Sequence, residues 1–554
     1  MGHVARRPSS WRAAVAALVA LTLSAGCTAT AASDPVDPPA TGPTAVDAAE
    51  PDGGADAEVV APTPQDVADP EPPPAPPPSR AALEQRLQRY LDGALAVDAE
   101  LELAVLVVDE HGRVVLAHEP DRAVLPASTL KTVTAAAVLT TLGPDARLTT
   151  ALEATAGLDG SGRIDGDLVL RGVGDPTLTT DDYRRYVYPA RPATPLDALA
   201  DTLVGLGLRE VTGDVLGTAP GFSGELRPTG WRDDYLTALD GRFVGGLTTD
   251  GGLRTLVERP GRDDGDDEEA GEVEGAEEAG DGDGDGRDRD EDVEDDEPPT
   301  VRVELAADPA EEAALALARA LEARGVRIDG VARAGDPTEP VVGQLATVSS
   351  PPMHEVLRFM VQRSDNHLAD QLFLVAGRAR TGEGSWATGD RALRQTLDRF
   401  GVAHEGARFA DGSGLSRDDR VTARLLVDLD RALTASPRWG ATWRELMAVM
   451  GESGTLRTRL SGTPAAGRFL GKTGTLRDVT ALSGQVVAAG LGDADAPRFH
   501  LAVLATGGPT GRVAARALVD ETILALLAEL DGCELREHGD TIGPLGSRPH
   551  QVAC

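Results

Sequence analysis

Five side chains in this sequence are of types that together move an acyl group: Ser128, Lys131, Ser364, Asn366 and Lys472. Ser128 and Lys131 stand three apart, so on a helix they share a face, one turn above each other. A serine hydroxyl is a weak nucleophile until a neighbouring base takes its proton. A lysine amine is such a base when burial or nearby positive charge lowers its pKa, here burial together with Lys472. Ser-x-x-Lys by itself recurs by chance, and its support comes from Ser364-Asp-Asn366 and Lys472-Thr-Gly-Thr475 further on. In an acyl transfer, the Ser364 hydroxyl between the two amines passes a proton to the leaving amine. The Asn366 amide fixes Lys131 and a substrate peptide oxygen. Lys472 and Thr473 offer charge and a donor to a terminal carboxylate, and Gly474 leaves room for a substrate backbone along the strand. Backbone N–H groups of Ser128 and Thr475 then form an oxyanion hole, worth roughly 3–4 kcal/mol per donor.

These residues need elements to hold them. Helical periodicity over Ala81–Leu95 is followed by strands at Leu101–Val108 and Arg113–Ala117 joined by the turn Asp109-Glu-His-Gly112. An alanine-rich helix then runs from Thr132 to Leu142. Short strands and turns fill 151–340 until an amphipathic helix at Ala307–Gly325, with a strand at Val341–Ser349. Helical spacing over His354–Ala376 is interrupted by Gln362-Arg-Ser-Asp-Asn-His367. A polar loop, Asp411-Gly-Ser-Gly-Leu-Ser-Arg417, precedes a helix at Ala423–Leu433. Strands at Leu482–Ala488 and His500–Thr506 and a helix at Val513–Leu530 close the folded part. His367 is expected to line the cleft or pack on a helix, and Asp411 and Arg417 to shape a loop beside it.

The ends and the composition narrow the setting. Arg6, Arg7 and Arg12 precede an apolar run, Ala13–Leu23, too short to span a bilayer, as in an export signal. It ends in Leu23-Ser-Ala-Gly-Cys27, which resembles a lipobox; the alternatives are a lipid anchor at Cys27 or cleavage after Ala31, so the chain is expected outside the cytoplasm, anchored to membrane and cell wall or secreted. Residues 28–79, rich in Pro, Ala and Asp, form a tether that buries too little apolar surface to fold. The net charge is −37, and 261–299 hold 21 acidic residues against three arginines. Such a chain repels nucleic acid and anionic membrane surfaces. Within that stretch Asp281-Gly-Asp-Gly-Asp-Gly286 approaches a calcium-loop spacing, but it lacks the closing Glu and flanking amphipathic helices, and a solvated loop is expected. Three cysteines and scattered histidines leave no zinc pattern. Neither metal nor cofactor is expected. Cys533 and Cys554, in the tail 531–554, are either a disulfide or two free thiols.

The ordered set Ser128-Thr-Leu-Lys131, Ser364-Asp-Asn366 and Lys472-Thr-Gly474 is similar to that of class A β-lactamases and penicillin-binding proteins. Together with Gly174-Asp-Pro-Thr-Leu178, Asp411–Arg417, Gly454-Thr-Leu-Arg457 and Lys472–Leu476, it resembles the D-alanyl-D-alanine carboxypeptidase/endopeptidase family, the class C low-molecular-mass penicillin-binding proteins of peptidase family S13. The resemblance covers about residues 85–530. It implies an α/β (α+β) penicillin-binding protein/β-lactamase-like transpeptidase domain, an antiparallel sheet with helices on both sides, split into 80–150 and 341–530 by mostly β domains at 151–340. It also implies a serine-type carboxypeptidase acting on peptidoglycan stem peptides through an acyl-enzyme on Ser128, with β-lactams as further ligands. The spacing agrees, with 236 residues from Ser128 to Ser364 and 108 from Ser364 to Lys472. The alternatives are a serine β-lactamase, whose first two motifs lie closer together, and a catalytically silent penicillin-sensing or wall-binding module, against which the complete motifs argue.

Overall fold

The computed structural model describes residues 78–258, 299–488, 496, 498–536 and 551–553. The export signal, the tether as far as 77, the calcium-like loop and Cys554 lie outside the described residues; residues 78 and 79, expected in the tether, begin the helix Pro78–Val97. Among the described residues no helix is long and apolar enough to cross a membrane.

The catalytic half is built on a six-stranded antiparallel sheet in the order Ala448–Val449, Phe469–Thr475, Val479–Val487, Arg498–Thr506, Glu102–Asp109, Val114–His118. Its first long strand is paired with its last, Glu102 opposite Thr506 and Asp109 opposite Phe499, which joins the two ends of the folded chain. Successive side chains in a strand point to opposite faces. Leu103, Val105 and Val107 accordingly enter one core with helices Pro78–Val97 and Pro509–Asp531. Ala104, Leu106 and Val108 enter the other, with helices Leu130–Leu142, Met353–Arg363, Asn366–Thr381, Trp386–Arg399, Ala423–Thr434 and Gly440–Leu446. A strand buried on both faces reads as an unbroken apolar run rather than an alternation, which is why Leu103–Val108 carries no polar residue. Helices therefore cover both sides of an antiparallel sheet.

The helix Leu130–Leu142 lies at the centre of its layer, buried from Leu130 to Thr140. Ala135, Ala136 and Ala137, all inaccessible to solvent, let neighbouring helices approach it closely. The helical run around residue 364 is broken in two. Ser364 takes a left-handed conformation, φ 59°, at the end of Met353–Arg363, and Asp365 caps the next helix by accepting the Leu368 N–H at 2.9 Å.

The long insertion has its own core. Strand Thr149–Ala154 pairs antiparallel with Gly343–Ser349, from Thr149 opposite Ser349 to Ala154 opposite Gly343, so the chain enters and leaves through adjacent strands. The segment 341–349, expected within the second half of the catalytic domain, thus pairs in the insert's five-stranded sheet. The insert is mostly β, with the helix expected at 307–325 and a second one before it. Helices Asp197–Gly205 and Pro309–Glu322 supply Leu199, Leu203, Leu317 and Leu321 to its core, because the sheet alone leaves one apolar face to be covered.

Candidate active site

Ser128 sits in a 3-10 turn, Ala127–Thr129, that leads into the buried helix. Ala127, just before it, has φ 44°, a left-handed conformation that costs a residue with a Cβ about 1–2 kcal/mol. Two glycines clamp this turn. A Cβ at Gly414 would stand 1.9 Å from Ala127 O, and one at Gly474 would stand 2.7 Å from Pro126 O and 3.2 Å from the Ala127 Cβ. Glycine at 474 was expected to make room for a substrate backbone. The space its side chain would fill is taken by Pro126 and Ala127, so its smallness seats the nucleophile's turn against the strand.

Lys131 is wholly buried, and its ammonium is the hub of the site. Nζ donates to Ser128 Oγ at 3.0 Å, to Asn366 Oδ1 at 2.6 Å and to the Ser413 carbonyl at 2.7 Å. Burial lowers its pKa to about 8, against the pull of the carboxylates of Asp370, Asp411, Asp365 and Asp419. Lys472, also inaccessible, donates to Ser364 Oγ at 2.9 Å and to Thr473 O at 2.7 Å. Burial first, and then the Lys131 charge, push its pKa well below the usual lysine range. Repulsion between two ammonium groups is mutual, so each lysine favours the neutral form of the other. The three motifs, far apart in sequence, are thus joined by two ammonium groups, each bonded to one of the two serines.

A cleft of about 390 Å3 runs from Ser128 and Ser364 past Thr473, Gly474 and Thr475 to Thr455. Thr473 Oγ1 donates to Thr455 Oγ1 at 2.7 Å. The short strand Ala448–Val449 pairs only with Leu470 and Gly471, so no strand covers this edge from Lys472 to Thr475. Residues two apart on an antiparallel strand turn their backbone groups to the same edge, so Thr473 and Thr475 share one.

Behind the hub lie residues that the motifs did not announce. Asp370, fully buried, accepts the Gly412 N–H at 3.0 Å, and burial followed by the Asp411 charge raises its pKa well above the carboxylate norm. Asp411 is the knot of the polar loop. It takes the N–H groups of Ser413, Gly414 and Ser416 and, at 2.8 Å, the Trp231 indole N–H from the insert. Arg417 forms a two-pronged pair with Asp478, at 2.8 and 2.5 Å, so both loop residues shape the cleft's surroundings as expected. His367 is buried on its helix with Nδ1 3.1 Å from the Arg191 guanidinium, and burial, then that charge, hold its pKa well below the imidazole norm. Asn366 Nδ2 donates to Asp240 O at 2.9 Å, so this amide is held by the insert as well as by Lys131.

Trp231→Phe keeps an aromatic ring but leaves Asp411 Oδ2 with the Ser416 N–H alone, and is expected to cost roughly 0.5–1.5 kcal/mol of stability. It should also slow acylation, because the loop that Asp411 ties carries the Ser413 carbonyl against Lys131. Thermal unfolding and penicillin acylation rates check both; unchanged values would show that the indole bond is dispensable.

A half-buried serine bonded to a buried lysine, with a second serine bonded to a second buried lysine, is a site built for serine-type acyl transfer. A profile described as the D-Ala-D-Ala carboxypeptidase 3 (S13) family matches residues 87–270 and 294–495, and the chain belongs to that family. It is 32% identical over 430 residues to the D-alanyl-D-alanine carboxypeptidase of Actinomadura sp. (strain R39), covering 71% of this chain and 77% of that one. It is 30% identical to Carboxypeptidase DacB of Mycolicibacterium smegmatis, over 71% and 74% of the two chains. The crystal structure of penicillin binding protein 4 (dacB) from Haemophilus influenzae superposes with a TM-score of 0.60 at 19% identity, over 81% of this chain and 99% of that one. The chain is thus a hydrolase of the D-Ala-D-Ala carboxypeptidase family, with the fold of that penicillin binding protein 4.

Proposed function

We propose that the reaction runs through an acyl-enzyme on Ser128, and the observation that carries this reading is the 3.0 Å contact between Ser128 Oγ and a buried Lys131 whose pKa is about 8. The neutral fraction of Lys131 takes the Ser128 proton as Oγ attacks the carbonyl carbon of the penultimate D-Ala in a stem peptide. The N–H groups of Ser128 and Thr475 receive the oxyanion. As the C–N bond breaks, Ser364, bonded to Lys472, hands a proton to the departing amine, which leaves as D-alanine. Lys472 and Thr473 take the terminal carboxylate, and an anion there favours the charged form of Lys472. Water then attacks the ester and Ser128 recovers its proton. A β-lactam follows the first half of this path, but its leaving amine stays tethered to the acyl group.

Around this centre the chain is organised as an export signal to 27, a tether over 28–77, and a catalytic domain split by an insertion. Work on peptidoglycan places it outside the cytoplasm, and lipid at Cys27 would hold it to the membrane with the tether reaching into the wall. Cys533 is disulfide-bonded, and the strand after it pairs Glu534 with Ala553. This favours the reading of a pinned tail over two free thiols.

The test incubates the purified protein with labelled penicillin and with a peptide ending in D-Ala-D-Ala. A stable adduct mapped by mass to Ser128, with release of D-alanine, is the expected result. Rapid penicillin turnover would point to a β-lactamase, and labelling without peptide cleavage to a sensor.

A further inference from the structure

The cleft does not end at the threonines. Its lining also takes in Arg459, Arg512, Val513 and Arg516. Arg459 follows the Gly454–Leu456 turn and is neutralised, with Nε 2.7 Å from Asp520 Oδ1. Arg512 and Arg516 stand four apart on helix Pro509–Asp531, and so on one face. Neither forms an ion pair among the described residues. Arg512 Nε is enclosed yet has no hydrogen-bond partner among them. Arg516 is exposed, and its charge presses on Arg459, which burial already disfavours. In a chain of net charge −37, two uncompensated guanidinium groups facing the reaction cleft are out of keeping with their surroundings.

Their place along the cleft gives the direction. The scissile carbonyl belongs at Ser128, and the carboxylate of a departing D-Ala at Lys472 and Thr473. Thr473 is bonded to Thr455, the turn that carries Thr455 runs on to Arg459, and Arg459 Nη2 donates to Arg516 O at 3.4 Å, so a chain of contacts leads from Thr473 to the arginines. They are therefore on the leaving-group side, further out than one residue of product. We propose that Arg512 and Arg516 form a carboxylate-binding subsite for a leaving group longer than D-alanine: the acidic stem peptide released when a cross-link between two stems is cut. This rests on the acyl-enzyme reading above. In that step the amide bond between a D-Ala carbonyl and the amine of the neighbouring stem breaks. The acyl group passes to Ser128 Oγ and a proton goes to the amine. The freed stem carries several carboxylates, and a guanidinium presents a planar fork that matches one. A lone D-Ala has a single carboxylate, already held at Thr473. The arginines thus bias the enzyme toward cross-links.

The test compares the full-length protein with the double variant Arg512→Gln, Arg516→Gln. Three probes are used: a single stem peptide ending in D-Ala-D-Ala, a cross-linked stem dimer, and the same dimer with the leaving stem's carboxylates amidated. The variant should lose about ten- to hundredfold in kcat/KM on the acidic dimer. Its activity on the single peptide, and its acylation by penicillin, should stay within about twofold of wild type, as expected for groups away from the bond broken. Wild type should cleave the amidated dimer as slowly as the variant cleaves the acidic one. An unchanged dimer rate, or an equal loss on all substrates, overturns the proposal. If wild type is not acylated by penicillin at all, the acyl-enzyme reading is what fails, and the subsite falls with it.

Discussion

Replacing Lys131 by methionine should lower the rate of acylation by penicillin about a thousandfold while the protein stays folded. The amine is the only basic atom bonded to Ser128 Oγ among the described residues, and the hydroxyl is a poor nucleophile without it. Methionine is close to lysine in length and suits a site with no solvent contact, so the helix should keep its packing. The pH profile of the wild type supplies the sign. Lys131 acts as a base only when neutral, so with a pKa of about 8 its acylation rate should climb with pH and level off above that value. In the Met variant that limb should vanish. Stopped-flow acylation across pH, with circular dichroism as a folding control, decides it. A variant acylated at the wild-type rate would remove Lys131 from the mechanism.

Gly414→Ala should be as damaging without touching any reacting atom. Residue 414 has φ +82°, and its new Cβ would lie 1.9 Å from Ala127 O and 2.5 Å from Ala127 C. Those are backbone atoms of the turn that carries Ser128, so no side-chain rotation relieves the clash. Either the polar loop withdraws, taking the Ser413 carbonyl from Lys131, or the turn shifts and misdirects Ser128. A misplacement of about 1 Å is worth about a hundredfold in rate. Gly382→Ala is the control. Its φ is +86°, but a Cβ there meets nothing within 4 Å. It should cost only the left-handed penalty, about 1–2 kcal/mol, with acylation unchanged. Acylation rates and thermal melts of the pair separate backbone strain from collision; equal behaviour would mean that the clamp on Ala127 is irrelevant.

What could be read from the sequence divides along physical lines. The motif residues were legible because the reaction restricts their types and because Ser-x-x-Lys is a local spacing. Strands such as Val479–Val487 and helices such as Pro509–Asp531 were legible within a few residues, because apolar periodicity is also local. The helix Trp386–Arg399 was not foreseen, although Ser385 opens it with a capping box, because Gly389 and three arginines weaken its apolar stripe. The partners of Lys131 were only half visible. Asn366 belongs to a motif, but the Ser413 carbonyl is a backbone group that no side-chain pattern marks. Asp370 stands one turn after Asn366 on the same helix, whereas Trp231, Arg191 and Asp240 reach the site across long stretches of chain, and nothing in their own neighbourhoods signals it. Gly474 was noticed, but its seat against Pro126 and Ala127 was not, because those atoms lie in another part of the chain.

Bonds that hold the insertion to the motifs include Asp240 to Asn366, Trp231 to Asp411, Thr229 to Ser416, Gly230 to Arg417 and Arg191 to His367, with Asp365 3.8 Å from the same guanidinium. Two of these, at Asn366 and Asp411, lie one bond away from what positions Lys131. A half-folded chain, with its outer strands formed but the insertion undocked, therefore has its serine and no competent base. Reactivity arrives with the last contacts rather than the first. Until then the chain is chemically silent.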